Sequence, residues 1–253
     1  MSEKKRVGVI FQEEIGTDIY RLVLDAKSIA KEALAGQFVM VYPDGESTLL
    51  PRPISICEAD PETGRLTLVY RVVGKGTTEF SRLKAGMEID IAGPLGNGFP
   101  LQTRKAILIG GGIGIPPMLE LSKRLDCDKT VVLGYRDEIF LNEEFKPYAD
   151  VVIASEDGKT GTKGTVIDAI KAQGVTGEVI YACGPMPMLR AIKAYAQENG
   201  IDAYISLEER MACGIGACLG CVVKTKETDH HSHVDNARIC KEGPVFDAKE
   251  VLI

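Results

Sequence analysis

Several features that mark other classes of protein are scarce or missing in this sequence. The 253 residues include no tryptophan, only 6% of them are aromatic, and histidine occurs three times. The most apolar run, 106–118, is interrupted by glycine and proline and is too short to span a bilayer. The formal net charge is −6, without the basic excess that nucleic acids and anionic membranes attract. We therefore expect neither nucleic acid nor membrane as a partner.

The N-terminus also lacks the long apolar core and small-residue cleavage site of a signal peptide, so we expect a cytoplasmic protein. Cysteine, in contrast, is not scarce. The chain has seven cysteines, an odd number, and four of them lie between residues 213 and 240. In a reducing compartment such a cluster indicates a metal or redox site rather than a disulfide framework.

Changes of pattern along the chain predict three domains, at 1–101, 102–206 and 207–253. The first has short strand-like runs punctuated by proline and glycine, which is typical of an antiparallel β-barrel or sandwich. The second alternates strands with helices, which predicts a doubly wound parallel sheet. The third has no sustained period and reads as a small separate module. The fold class expected is β + α/β with this C-terminal module.

Particular elements follow from the same patterns. In the first domain we predict strands at 7–12, 19–24, 37–41, 65–72 and 88–91, and a helix at 77–84. In the second we predict helices at 165–172 and 186–198, and a final strand at 203–207.

The cysteine cluster has the C-x4-C-x2-C spacing, with a distant fourth cysteine, of plant-type [2Fe–2S] proteins. Glycines between the first three cysteines allow the tight turns with which a loop wraps a small cluster. The predicted iron ligands are Cys213, Cys218, Cys221 and Cys240.

Two other metal sites are alternatives. A structural zinc site favours two short cysteine pairs, and Cys240 has no near partner in sequence. A Rieske centre uses two histidines and two cysteines. The three histidines, His230, His231 and His233, do lie between Cys221 and Cys240, but among polar residues typical of a solvated hairpin tip.

Candidate flavin-binding residues lie in the first domain. Two arginines could neutralise a pyrophosphate, a helix start offers free N–H groups, and a tyrosine could lie against an apolar ring. A surface salt bridge is the alternative for either arginine. The residues are Arg52, Pro53, Ile54, Ser55, Val69, Tyr70, Arg71, Gly76 and Thr77.

Candidate nicotinamide-binding residues lie in the second domain, where a glycine-rich turn joins a strand to a helix. The turn departs from the dinucleotide fingerprint, because Pro117 occupies the third glycine position. A later strand ends in Cys-Gly-Pro at the same expected edge; its cysteine is either a neighbour of the nicotinamide or a packed strand end. The residues are Gly110, Gly111, Gly112, Gly114, Cys183, Gly184 and Pro185.

These motifs carry a family resemblance. RPIS, VYR, GGGIGIPPM and ACGPMPML resemble the ferredoxin reductase family of flavoproteins. The segments SLEERMACGIGACLGC and ICKEGPVF are similar to those of the electron-transfer subunits of NAD-dependent (type 1B) dihydroorotate dehydrogenases. The resemblance implies FAD on the barrel, NAD on the second domain and a [2Fe–2S] cluster on the four cysteines. One departure from the family is the stretch from Cys221 to Cys240, which is longer than usual.

The resemblance further implies a partner, an FMN-containing catalytic subunit that oxidises dihydroorotate in pyrimidine biosynthesis, in a heterotetramer with two copies of each chain. Electrons would pass from that FMN through the cluster and FAD to NAD+, and no acid or base in this chain is required. Two alternatives remain at this point. The same modules suit an NADH-dependent ferredoxin reductase or electron-bifurcating subunit, and a redox-sensing regulatory protein would bind the cluster without turnover.

Overall fold

The computed structural model describes residues 3–45, 49–228 and 234–253. Within these ranges the strands are β1 (Lys4–Gly16), β2 (Ile19–Asp25), β3 (Phe38–Tyr42), β4 (Arg52–Ala59), β5 (Arg65–Arg71), β6 (Glu88–Leu95), β7 (Ala106–Gly111), β8 (Lys129–Tyr135), β9 (Asp150–Ser155), β10 (Thr162–Lys163), β11 (Val179–Cys183), β12 (Asp202–Ser206), β13 (Val222–Lys224), β14 (Asn236–Arg238) and β15 (Val245–Asp247). The helices are α1 (Lys27–Glu32), α2 (Lys75–Phe80), α3 (Pro116–Arg124), α4 (Asn142–Phe145), α5 (Val166–Gln173) and α6 (Met186–Asn199).

The first six strands close into an antiparallel barrel in the order β1-β2-β5-β4-β3-β6. The alternation of side chains along β5 shows how it is built. Leu66, Leu68 and Tyr70 belong to the core inside the barrel, whereas Val69 packs with residues of the second domain. The predicted barrel is confirmed, and one of its faces is a domain contact.

The second domain contains a seven-stranded sheet in the order β10-β9-β8-β7-β11-β12-β15. Strands β7 to β12 run parallel to one another. On the central strand β7, Ile107 and Ile109 share a core with residues of α5 and α6, while Ala106 and Leu108 share another with α3 and α4. Helices therefore cover both faces, as predicted for a doubly wound sheet.

One predicted helix differs from the observed one. The expected helix at 77–84 is instead α2, which begins at Lys75 and ends at Phe80. The Gln12 amide nitrogen donates to the carbonyls of Phe80 and Leu83, at 3.0 and 3.1 Å. A side chain thus satisfies carbonyls that a longer helix would pair with its own N–H groups.

The C-terminal segment is tied to both other domains. Strand β15 adds to the parallel sheet by pairing antiparallel with β12. The Asn97 backbone N–H, just after the barrel, donates to the Gly243 carbonyl at 2.6 Å. The segment that follows the cysteine loop, residues 213–221, therefore contacts both the barrel and the sheet.

Across the described ranges, we find no helix with the length and apolar character needed to cross a membrane.

Candidate functional site

A cavity of about 860 Å³ lies where the barrel, the parallel sheet and the C-terminal segment meet. Its wall includes most of the residues that the sequence predicted as cofactor-binding. Those that line it are Arg52, Pro53, Ile54, Ser55, Val69, Tyr70, Arg71, Thr77, Gly111, Gly114, Cys183, Gly184 and Pro185. The structure thus brings the predicted flavin and nicotinamide motifs into one space.

Three predicted glycines lie near this cavity without lining it. A Cβ at Gly76 would lie 3.0 Å from the Arg52 Nε, so Gly76 gives the arginine room. A Cβ at Gly110 would lie 2.8 Å from the Ile115 Cα, which indicates tight packing. Gly112 has a φ of +52° and open space around it, so its role is the turn itself.

On the barrel side the cavity carries positive charge. The Arg52 Nη1 donates to the backbone carbonyl oxygen of Leu50 at 2.7 Å, which orients the guanidinium. Arg71 is exposed at the end of β5. Tyr70 is only 2% exposed, and burial raises the pKa of its phenol, which therefore stays neutral. Its ring packs on Tyr20 and Phe80 in the barrel core, so the predicted contact with an apolar ligand ring is not seen. The cations and the cavity volume fit a flavin dinucleotide.

On the sheet side the cavity is formed by strand ends. Cys183 of β11 is in register with Gly110 of β7 and Ser206 of β12, so three neighbouring strands end together. A Cβ at Gly114 would lie 2.4 Å from the Cys183 carbonyl oxygen, a distance that no side chain tolerates. Carboxyl ends of parallel strands are where such sheets bind ligands, so this edge fits a nicotinamide dinucleotide.

Cys183 itself is a neutral thiol in this setting. Burial raises its pKa to about 12, an effect that a hydrogen bond with Ser206 only partly offsets. A thiol with such a pKa keeps its proton at neutral pH, so it is not suited to act as a nucleophile or as a metal ligand.

The sequence analysis missed the segment after β12. Glu208, Glu209, Arg210 and Met211 all line the cavity. A usable signal was present, because Ser206 ends a parallel strand next to the Cys-Gly-Pro strand, and whatever follows must emerge at the same edge. This segment leads directly into the cysteine loop.

The cysteine loop packs on the barrel. A Cβ at Gly214, which has a φ of +68°, would lie 2.6 Å from the Met40 Cγ in β3. Along the loop, Cys213 is half-buried and Cys218 is exposed, whereas Cys221 is buried. The loop therefore has one side against barrel strand β3 and one side open to solvent.

Backbone N–H groups point at the sulfurs. The Cys213 thiol is partly desolvated, which opposes ionisation, but hydrogen bonds from Ile215, Cys218 and Ala217 prevail and lower its pKa to about 6. The Gly216 N–H donates to the Cys240 Sγ at 3.1 Å. Thiolates surrounded by N–H donors are what an iron–sulfur cluster requires, so the loop fits that group.

The inner pair of cysteines behaves differently. The Cys240 N–H lies 3.4 Å from the Cys221 Sγ. Burial, together with the Cys221 sulfur, raises the pKa of Cys240 to about 12, so iron would have to displace its proton. Among the residues placed by the structure, no three His, Cys, Asp or Glu side chains are arranged to hold a metal ion. The fit to a cluster therefore depends on the thiols and the N–H donors.

His230, His231 and His233, which a Rieske centre would need, lie outside the described residues.

Two family models match the chain. Residues 6–99 match the oxidoreductase FAD-binding domain, and residues 208–252 match the iron-sulfur cluster binding domain of dihydroorotate dehydrogenase B. Together they cover the barrel and the cysteine segment.

Curated relatives match from end to end. The dihydroorotate dehydrogenase B (NAD(+)) electron transfer subunit of Bacillus cereus (strain B4264) is 42% identical, covering 100% of both chains. The subunit of the same name from Bacillus anthracis (strain CDC 684 / NRRL 3495) is also 42% identical over 100% of both.

Among solved structures, an NADH-dependent reduced ferredoxin-NADP oxidoreductase, described in a study of flavin-based electron bifurcation, is 30% identical with a TM-score of 0.88. The match covers 97% of this chain and 89% of that one. With these matches and a site that fits FAD, NAD and a [2Fe–2S] cluster, the chain belongs to the family of dihydroorotate dehydrogenase B electron transfer subunits.

Proposed function

We propose that this chain passes electrons from the FMN of a catalytic dihydroorotate dehydrogenase subunit, through a [2Fe–2S] cluster and FAD, to NAD+ in pyrimidine biosynthesis. The observation that carries the proposal is the continuous cavity wall. It joins the Arg52–Ser55 motif, the Cys183–Pro185 strand end and the 208–211 segment that leads into the cysteine loop. The flavin and nicotinamide motifs therefore line one space, and the segment that leads into the cysteine loop borders it.

When bound, FAD supplies the exchange between two-electron chemistry with NAD and one-electron chemistry with a cluster. The chain's own residues position these groups. Arg52 and Arg71 would neutralise the flavin's pyrophosphate. Gly111 and Gly114 would admit the nicotinamide dinucleotide at the sheet edge, and the four predicted cysteines would hold the cluster.

We place the catalytic partner against the exposed side of the cysteine loop. Ile215 and Leu219 are 51% and 64% exposed, beside the exposed Cys218. Apolar side chains around an exposed ligand suit a protein interface, where electron transfer also needs short distances. A heterotetramer with two copies of each chain is the assembly we expect. The cytoplasmic location inferred from the sequence stays a prediction.

A second candidate function is favoured by one observation. The 30% identical structure is an NADH-dependent reduced ferredoxin-NADP oxidoreductase with a similar arrangement over 97% of this chain. The same modules can thus serve a different electron partner. The two functions differ in the protein that exchanges electrons at the cysteine loop.

Purification of the chain with its copurifying partners separates the two. We expect FAD and iron in the complex, together with dihydroorotate-dependent NAD+ reduction. If the complex instead oxidises NADH with ferredoxin and shows no dihydroorotate activity, the partner assignment is wrong and the ferredoxin function replaces it.

A further inference from the structure

An ion pair lies directly behind the cysteine loop. Arg238 and Glu242 are four residues apart, and the Arg238 Nε lies 3.0 Å from the Glu242 Oε2. The Arg238 Nη2 contacts the other carboxylate oxygen, so the two groups face each other side by side. The backbone N–H of Arg238 also donates to Glu242, at 2.7 Å. The carboxylate thereby fixes the guanidinium in one orientation.

The free side of that guanidinium reaches the cysteine loop. The Arg238 Nη1 donates to the Gly216 carbonyl at 2.7 Å, and the N–H of Gly216 donates to the Cys240 Sγ. The Gly216 carbonyl thus accepts a hydrogen bond from Arg238, and the Gly216 N–H donates one to the Cys240 sulfur. Gly216 has a φ of +81°, and a Cβ there would lie 2.8 Å from the Lys241 Cδ, so the loop backbone lies tightly against this segment.

The ion pair is also close enough to act by charge. Only the Gly216 backbone separates the Arg238 guanidinium from the Cys240 sulfur, since its carbonyl accepts from the one and its N–H donates to the other. The side chains of Arg238 and Glu242 are only 30% and 40% exposed, so solvent screens them less than a surface pair. Net charge and hydrogen bonding near the sulfurs are factors that set the reduction potential of a cluster.

We propose that Arg238 and Glu242 are positioning residues that hold the Gly216 turn and set the reduction potential of the [2Fe–2S] cluster. The proposal rests on the function proposed above, because it presupposes a cluster on the four cysteines. Reduction adds negative charge. The Arg238 cation therefore favours the reduced cluster, and the Glu242 carboxylate opposes it.

The test is a redox titration of the cluster in the complex with the catalytic subunit. The electron paramagnetic resonance signal of the reduced cluster monitors the titration. We expect Arg238→Gln to shift the midpoint potential downward and Glu242→Gln to shift it upward. Arg238→Lys keeps the charge and should return the potential towards that of the unchanged protein. Added salt should reduce both shifts, since the pair is partly exposed.

The Glu143 and Lys146 pair of α4 provides matched controls. It is also an ion pair within one short segment, with 67% and 58% exposed side chains, and α4 packs on α3 and β9 rather than on β15. Glu143→Gln and Lys146→Gln should leave the potential unchanged.

Opposite shifts for Arg238→Gln and Glu242→Gln support the proposal, and equal or absent shifts overturn it. If Arg238→Gln loses the cluster, Glu242→Gln decides alone: an upward shift supports the proposal and any other result overturns it. Absence of a [2Fe–2S] signal from the unchanged protein would be a failure of the proposed function instead.

Discussion

The sheet side of the cavity requires a residue without a side chain at position 114. Gly114 leaves no room for a methyl group, because its Cβ would lie 2.4 Å from the Cys183 carbonyl oxygen. We expect Gly114→Ala to move the Cys183–Gly184 strand end, to destabilise the fold by about 1–3 kcal/mol and to weaken NADH binding. Urea denaturation and an NADH titration measure the two effects.

The matched control for that substitution is Gly8→Ala. Gly8 lies in β1, and a Cβ there meets nothing within 4 Å. It should leave NADH affinity unchanged. Equal NADH affinity in Gly114→Ala and the unchanged protein would contradict the account of the strand end.

Cys183 provides a test based on pH. Its pKa is raised to about 12 by burial, so the folded protein keeps the thiol proton where an unfolded chain with a pKa near 9 loses it. The protonated, buried thiol therefore contributes to the free energy of unfolding below pH 9, and this contribution is lost as the pH rises from 9 towards 12. We expect iodoacetamide labelling of Cys183, followed by mass spectrometry, to rise steadily with pH. A plateau near pH 8 would show an ionised thiol.

At the scale of elements, the barrel and the sheet are joined through α3. Glu120 is 2% exposed; its Oε2 accepts the Ala59 N–H of β4 at 3.0 Å, and its Oε1 accepts the Arg124 Nε at 2.7 Å. We expect Glu120→Ala to lower the free energy of unfolding by about 2 kcal/mol, since it leaves the buried Ala59 N–H without a partner. FAD should also dissociate faster, because the two cavity walls lose a link.

Glu143→Ala is the control for that substitution, as Glu143 pairs with Lys146 on an exposed helix surface. We expect Glu143→Ala to lower the free energy of unfolding by about 0.5 kcal/mol or less. Urea denaturation and FAD release measure both variants. Equal losses in the two would mean that α3 does not join the domains in this way.

The elements that the sequence predicted well are those with long periodic patterns. The helix predicted at 186–198 is α6, which runs from Met186 to Asn199. The three-residue strand β15 was missed, because so short a run carries no period and its pairing with β12 is a tertiary contact. The early end of α2 was missed for a similar reason, since Gln12 is more than sixty residues away.

The candidate site was predictable where a motif marked it. The cysteine spacing and the Arg52–Ser55 and Cys183–Pro185 motifs are local patterns, and the structure brings the last two to one cavity. Arg238 and the 208–211 segment were not identified, because their positions depend on how the chain returns to the sheet. The comparisons confirm the family that the motifs indicated.

At the scale of the whole molecule, the chain is an electron-transfer subunit that acts with a catalytic partner. The cavity wall and the exposed cysteine loop are both on this chain, whereas oxidation of dihydroorotate is assigned to the catalytic subunit. Cys218→Ser, at the exposed one of the four predicted ligands, should therefore remove most of the cluster signal and the NAD+-linked activity of the complex while FAD stays bound. Iron content, flavin absorbance and activity measure this, and loss of FAD together with iron would contradict separate sites.

The central claim is tested most directly by mixing the purified chain with the purified catalytic subunit and measuring NAD+ reduction by dihydroorotate. The account predicts activity only when both are present, with FAD and two irons bound per copy of this chain. NAD+ reduction by the catalytic subunit alone, or no activity from a mixture in which every cofactor is bound, would contradict it.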